Sequence, residues 1–329
     1  MDNFTHSLAG WALGQAGLKS RTRKGLAALV LGANLPDIDV FFGWAPWAPL
    51  ATHRGFTHGL VGGVLILPAL LAGLLWLLDR WQCARGDRFA SGLAMNPTWL
   101  VLLCYLGALT HPLLDLQTTY AVQLLSPFST RWFHTDTLFI IDAVIWTVLP
   151  LAIWRSRVRE RQGRPWRRPA IIGLVAVCLY IALNGAISLA ARQALTAHLG
   201  QKPEAVYAGE EPVLFWRRTI VWRLGGRIGQ ARYDPLRSLT KLDAVRPMVN
   251  DGMGDPLVRR AIAATPALRP YLRWSTMPMA FVRRGRCEAD IRFADARFMP
   301  DIADPDALPG ARPFGNPPVI LPIGGKDCP

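Results

Sequence analysis

Eight of the His and Asp side chains in the first 142 residues, types that bind metals or move protons, fall in short motifs. His6 lies in His6-Ser-Leu-Ala-Gly10, and Asp37 and Asp39 lie in Leu35-Pro-Asp-Ile-Asp39. His53 and His58 bracket Arg54 in Thr52-His-Arg-Gly-Phe-Thr-His58, and His111-Pro-Leu-Leu-Asp115 adds a fourth imidazole and a carboxylate. Asp142 closes Phe139-Ile-Ile-Asp142. Imidazole and carboxylate without thiolate suit Zn²⁺, with Mn²⁺ as the alternative. His6, Asp37, Asp39, His53, His58, His111 and Asp115 exceed one tetrahedral site. They would serve two or three ions, or one ion with carboxylates behind its ligands. Asn34, Thr57, Asp136 and Asp142 are the candidates for that outer layer.

The spacings set conditions on the backbone. His111 and Asp115 are i,i+4 and share a helix face. His53 and His58 are i,i+5, about 140° apart on a helix at ~100° per residue, so they converge only if His53 is still in a turn. Gly55 permits that turn. Asp37 and Asp39 also need a non-helical backbone, which Pro36 helps to supply.

The elements that carry these residues read as membrane segments. Half of the chain is hydrophobic, mean hydropathy is +0.20 and there are 13 tryptophans. Gly59–Leu78, Pro97–Leu116, Thr137–Trp154 and Pro169–Ala191 are each near the ~20 residues that cross a bilayer. Gly25–Phe42 is a fifth apolar run, broken at Asn34–Asp39. Residues 4–18 form a short helix, and Gly43–Ala51 reads as an interfacial loop. Ionisable groups at membrane depth point to a functional site.

Net charge is +14, which suits either nucleic acid or cationic loops on one side of a membrane. The distribution decides for the membrane, and no nucleic-acid partner is expected. Lys19–Lys24, Asp79–Asn96 and Arg155–Arg168 carry four, three and seven Lys/Arg, whereas Gly43–His58 and Gln117–Asp136 carry one each. The basic linkers are therefore cytoplasmic. The metal-type residues then share the opposite, extracytoplasmic end, a convergence reached from Lys and Arg alone.

The reading is mainly α: a polytopic helical membrane domain over residues 1–192 and a small extracytoplasmic α+β domain over 193–329. In the tail, Val213–Arg223 and Arg227–Tyr233 read as a hairpin across Gly225-Gly226. Pro256–Leu272 reads as a helix, Ala280–Arg284 with Cys287–Phe293 as a second hairpin, and the last 25 residues as irregular. Cys104 and Cys178 read as packing residues, while Cys287 and Cys328 are candidates for a pair that spacing alone does not settle. A cleaved signal peptide is not expected, because a basic n-region is missing.

The motifs quoted above, with Leu125-Ser-Pro-Phe-Ser129, resemble the YdjM-like family of inner-membrane metal-dependent hydrolases. The resemblance covers about residues 1–155, and the tail more loosely. The family is similar in motif to zinc-dependent phospholipase C and P1-type nucleases. The resemblance implies hydrolysis of a phosphoester or lipid ester by a metal-activated water, with membrane lipid as the surrounding partner. Asp37 or Asp39 would be the base or a bridging ligand, and Arg54 would hold a phosphate oxygen. The alternatives are a non-catalytic membrane binding protein with a structural metal, and a metal or solute transporter. Polar groups gathered at one end argue against transport.

Overall fold

The computed structural model describes residues 1–42, 53–304 and 318–322. The expected interfacial loop Gly43–Ala51 and Cys328 lie outside the described residues. The chain divides into two compact units, Met1–Ala186 and Ile187–Pro329.

The first unit is helical. Helix α1 (Asn3–Gln15) starts where the Asp2 carboxylate accepts the Thr5 amide hydrogen at 3.0 Å, a side-chain N-cap. Helix α2 (Gly25–Asn34) passes into a 3₁₀ stretch, Leu35–Phe42. Pro36 explains the change, since it has no N–H for a continuing α-helical ladder. After a turn at His53–Gly55, a 3₁₀ turn (Phe56–His58) and a π-helical turn (Leu60–Ile66) lead into α3 (Leu67–Ala84). Gly62 and Gly63 make this junction possible, because a Cβ on either would lie 2.2 Å from the Phe56 or Thr57 carbonyl oxygen. Helix α4 (Pro97–Asp115) follows, capped by Asn96, then α5 (Ala143–Arg161) and α6 (Arg167–Leu199).

Among the described residues, four stretches are long and apolar enough to cross a membrane: Gly25–Phe42, Leu60–Ala84, Pro97–Asp115 and Arg167–Leu199. The expected segment Thr137–Trp154 needs correction. Its helix begins only at Ala143, and four arginines fill its last seven residues. The loop before it is held by side chains instead, with Thr135 and Thr137 bonded to Gln117.

Ala28 and Leu29 of α2, Leu71, Ala72 and Leu75 of α3, and Leu100, Leu103 and Cys104 of α4 form the buried core. Lipid tails supply no hydrophobic drive between helices, so close backbone approach must supply contact. Gly107 and Gly32 provide it: a Cβ would lie 2.5 Å from the Leu29 oxygen at the first and 2.7 Å from the Cys104 oxygen at the second. The outward faces remain apolar and exposed, including Leu70, Leu74, Leu77, Leu102, Leu179 and Leu183.

The second unit holds two antiparallel sheets. One has the order β1-β2-β3-β4, with β5 also paired to β3; the other has the order β6-β7-β8. Its strands β2 (Arg218–Leu224) and β3 (Arg227–Tyr233) turn at Gly225-Gly226, both at positive φ, as a two-residue hairpin requires. Strands β6 (Pro278–Arg284) and β7 (Glu288–Asp295) make the second expected hairpin. Three tail expectations are corrected. The strand placed at Val213 starts at Arg218, because Val213 takes a left-handed φ of 68°. The single helix is two, α7 (Pro256–Ala264) and α8 (Leu268–Trp274), parted at Pro266. Within the last 25 residues, β8 (Val319–Pro322) extends the second sheet. Strands β1 (Ala205–Glu210), β4 (Ala244–Val245) and β5 (Val249–Asn250) complete the unit. Cys287 is disulfide-bonded; Cys83, Cys104 and Cys178 are free.

Candidate metal centre

Asp37, His58, His111 and Asp115 place one donor atom each into a common buried space. Asp37 comes from the 3₁₀ stretch after α2, His58 from the turn before α3, and His111 and Asp115 from the last turns of α4. The Nε2 atoms of His58 and His111 are 3.0 Å apart. Asp37 Oδ1 lies 3.2 Å and 3.3 Å from them, and Asp115 Oδ2 lies 3.4 Å and 3.5 Å from them. A regular tetrahedron with an edge of about 3.3 Å has its centre about 2.0 Å from each vertex. That is the length of a zinc–nitrogen or zinc–oxygen bond.

The hydrogen-bond partners say which ring nitrogens face that centre. His111 Nδ1 donates to the Ala33 carbonyl at 2.6 Å. This oxygen would meet residue 36 in a 3₁₀ ladder, and Pro36 has no N–H to give it. Thr57 Oγ1 donates to Asp39 Oδ2 at 2.7 Å, so its oxygen accepts from His58 Nδ1 at 3.1 Å. Both imidazoles thus carry their proton on Nδ1 and turn bare Nε2 lone pairs towards each other. Two lone pairs at that separation repel unless a cation lies between them. Asp115 Oδ2 likewise has no hydrogen-bond partner among the described residues. The donor set fits a tetrahedral divalent ion.

Around this set stands a second layer. Asp39 is buried and accepts the Arg54 backbone N–H at 3.0 Å and the Thr57 hydroxyl. Its other oxygen meets His53 Nδ1 at 2.8 Å. Asp39, His53 and His58 form a smaller group of donors, but the His53 side chain is 49% exposed. The turn expected between the two histidines is present, with Arg54 at a left-handed φ of 63°. The buried Arg54 guanidinium reaches Thr118 Oγ1 at 2.9 Å and Asp115 Oδ1 at 3.2 Å. Burial pushes its pKa down to about 10, against the opposing pull of Asp37. Asp115 Oδ1 also meets the Met1 amine.

His6 joins the centre from α1. Its ring stacks on His111 with centroids 3.7 Å apart, and Nε2 lies 3.4 Å from Asp115 Oδ1. Neither of its buried ring nitrogens has a hydrogen-bond partner among the described residues.

Three residues expected in the outer layer are engaged elsewhere. Asn34 sits in the last turn of α2 and donates to the Val30 carbonyl and Ser7 Oγ. Asp136 pairs with His134 Nδ1 at 2.7 Å. Asp142 is the N-cap of α5, accepting the Ile145 amide hydrogen and the Tyr180 hydroxyl. Asn34 and Asp142 are short polar side chains at helix ends, where backbone groups compete for them, and Asp136 is claimed by a histidine in its own loop. Thr57 does serve the outer layer. The spacing did not single out the Ala33 carbonyl, Thr118 or Tyr120, whose ring lies 5.4 Å from the Arg54 guanidinium. Thr118 had one available signal, its position three residues beyond Asp115 in the turn that ends α4.

Comparison with known proteins agrees with this architecture. The uncharacterized protein YfhP of Bacillus subtilis (strain 168) is 26% identical over 196 residues, 56% of this chain and 52% of that protein. The chain thus spans about half the length of that curated relative. No solved structure matches it. The YdjM inner membrane protein family matches residues 1–191, which hold α1 to α5 and every donor of the centre, and the chain belongs to that family.

Proposed function

We propose that this membrane protein is a metal-dependent hydrolase of a phosphoester or lipid ester, working at the extracytoplasmic face. The observation that carries the reading is the set of four convergent donors with bare Nε2 lone pairs 3.0 Å apart. A divalent ion held by Asp37, His58, His111 and Asp115, zinc or otherwise manganese, would supply Lewis acidity and a water of lowered pKa.

The protein's own residues then divide the work. Ala33 and Thr57, with Asp39 behind Thr57, fix the two imidazoles in the ligating tautomer. Asp39 is a positioning residue in this reading, because its oxygens are already committed to Thr57, Arg54 and His53. Asp37 is the only one of the four donors that touches solvent, so an ester would approach from its side. His6 has no hydrogen bond on either ring nitrogen among the described residues, a surplus that a purely structural ion does not require. In this reading it would pass a proton to a leaving oxygen. Arg54 balances the Asp115 charge and does not itself reach outward.

The second reading is a binding protein with a structural metal. What favours it is closure: four protein donors and deep burial are typical of structural sites, whereas catalytic ones keep a position open. The alternating charge count supports placing the centre and the tail outside the cytoplasm in either case.

The test is metal analysis of the purified full chain in nanodiscs, with headgroup release measured before and after chelation. The hydrolase reading expects metal loss and loss of release together, both absent in His111→Ala. Metal bound with no release of headgroup or fatty acid from any phospholipid, and no turnover of a soluble phosphoester, would sink hydrolysis and leave the structural role. No transition metal after loading would sink both.

A further inference from the structure

A groove of about 330 Å³ runs between α1 and α5. On α1 its lining is Phe4, Leu8 and Trp11, at the i, i+4, i+7 spacing of one helix face; on α5 it extends from Pro150 past Arg157 to Arg161. The lining is therefore apolar at the Phe4 end and cationic at the other. From Pro150 to Arg161 is roughly 16 Å at ~1.5 Å per residue, close to the ~15 Å depth of one hydrocarbon leaflet.

The cations at the end of this groove are unspent. Lys19 and Glu160 pair with each other at 2.6 Å, so the one carboxylate on this stretch of α5 is already taken. Arg157 and Arg161 have no carboxylate partner among the described residues, and Arg157 lies 5.3 Å from the Trp11 ring centre. The Trp11 indole N–H is buried and has no acceptor among the described residues. Two unpaired guanidinium groups, an unsatisfied donor and a leaflet-deep apolar channel make one set of requirements. Each is met by an anionic lipid: phosphate oxygens for the arginines, an ester oxygen for the indole and an acyl chain for the channel.

We propose that the α1–α5 groove is a binding site for one anionic phospholipid, with its phosphate on Arg157 and Arg161 and one acyl chain along Leu8 towards Phe4. This site shares no residue with the metal centre and does not rest on the hydrolase reading.

The experiment is native mass spectrometry of the full chain released from detergent with equal amounts of phosphatidylglycerol and phosphatidylcholine of identical acyl chains. The parent should retain phosphatidylglycerol at least about tenfold better, because two cations favour its net negative headgroup and choline cancels that charge in the other lipid. Arg157→Gln with Arg161→Gln should bring the two lipids to parity, while Arg85→Gln with Arg88→Gln, in another basic linker, should not. Leu8→Trp, which fills the channel and keeps both arginines, should reduce retention of the bound lipid. If the arginine variant does not fold, the Leu8 variant decides. Equal retention of both lipids by the parent, selectivity that survives Arg157→Gln/Arg161→Gln, or full retention in Leu8→Trp would each overturn the proposal. Glycerol phosphate binding as well as the lipid would overturn the acyl-chain half of it.

Discussion

Among single residues, the ligands and the side chains behind them should separate in experiment. His111→Ala removes a donor and the ring that His6 stacks on, so bound metal should fall to background in elemental analysis. Asp39→Asn keeps an oxygen for the Thr57 hydroxyl but loses the charge that holds this layer. Changes of this kind typically cost ~10–100-fold in metal affinity. A competition titration should therefore show weakened, not abolished, binding; equal affinity in Asp39→Asn and parent would refute the positioning role. The donor types were legible in the sequence because His and Asp seldom lie at membrane depth without use. Their division was not. Asp37 and Asp39 are two residues apart and chemically identical, and only the 3₁₀ path after Pro36 turns one inward and the other towards Thr57 and His53. Asn34, Asp136 and Asp142 carry the right chemistry too, but local capping and pairing claim them, and spacing does not reveal such competition.

At the scale of elements, the contact between α2 and α4 positions half of the centre. Gly32 and Gly107 lie next to Ala33 and one turn before His111, so the close approach of the two backbones sets the distance from Nδ1 to the carbonyl. Gly107→Ala places a methyl 2.5 Å from the Leu29 oxygen. Overpacking of that kind costs roughly 1–3 kcal/mol. The expected result is a lower midpoint in thermal unfolding and weaker metal retention together; Gly73→Ala, where a Cβ meets nothing within 4 Å, is the control and should change neither. Helix α4 was readable almost to the residue because its apolar run is unbroken. Helix α5 was not, since hydropathy is blind to whether a loop such as Thr137–Asp142 is held by side-chain hydrogen bonds. The short strand β1 escaped notice because its partner, β2, comes from a separate stretch of the sequence.

For the whole molecule, two predictions concern the two units separately. Reporter fusions at Gly163 and at Gly200 should report opposite compartments, as the split of Lys and Arg between alternate linkers requires; the same compartment for both would refute the orientation. In the second unit, burial raises the Asp295 pKa, but Arg297 at 2.9 Å and the Ser275 hydroxyl outweigh it and hold the carboxyl below its usual range. A depressed pKa contributes stability that is present above the unfolded value of ~3.9 and lost as pH falls through the folded one. Hydrogen exchange of β7 should therefore stay slow down to about pH 4 and quicken below it. Asp295→Asn removes the carboxylate charge that faces the buried Arg297, at a cost of roughly 3–5 kcal/mol, and should quicken exchange even at neutral pH. The spread of the metal centre along the chain also has a bearing on biogenesis. Its donors run from Asp37 to Asp115, on three segments that enter the bilayer at different moments of translation. No nascent chain shorter than this holds all four, so an ion can be captured only after α4 is in place. Loading of an ion would then be a late event, and it would lock together helices that were inserted one by one.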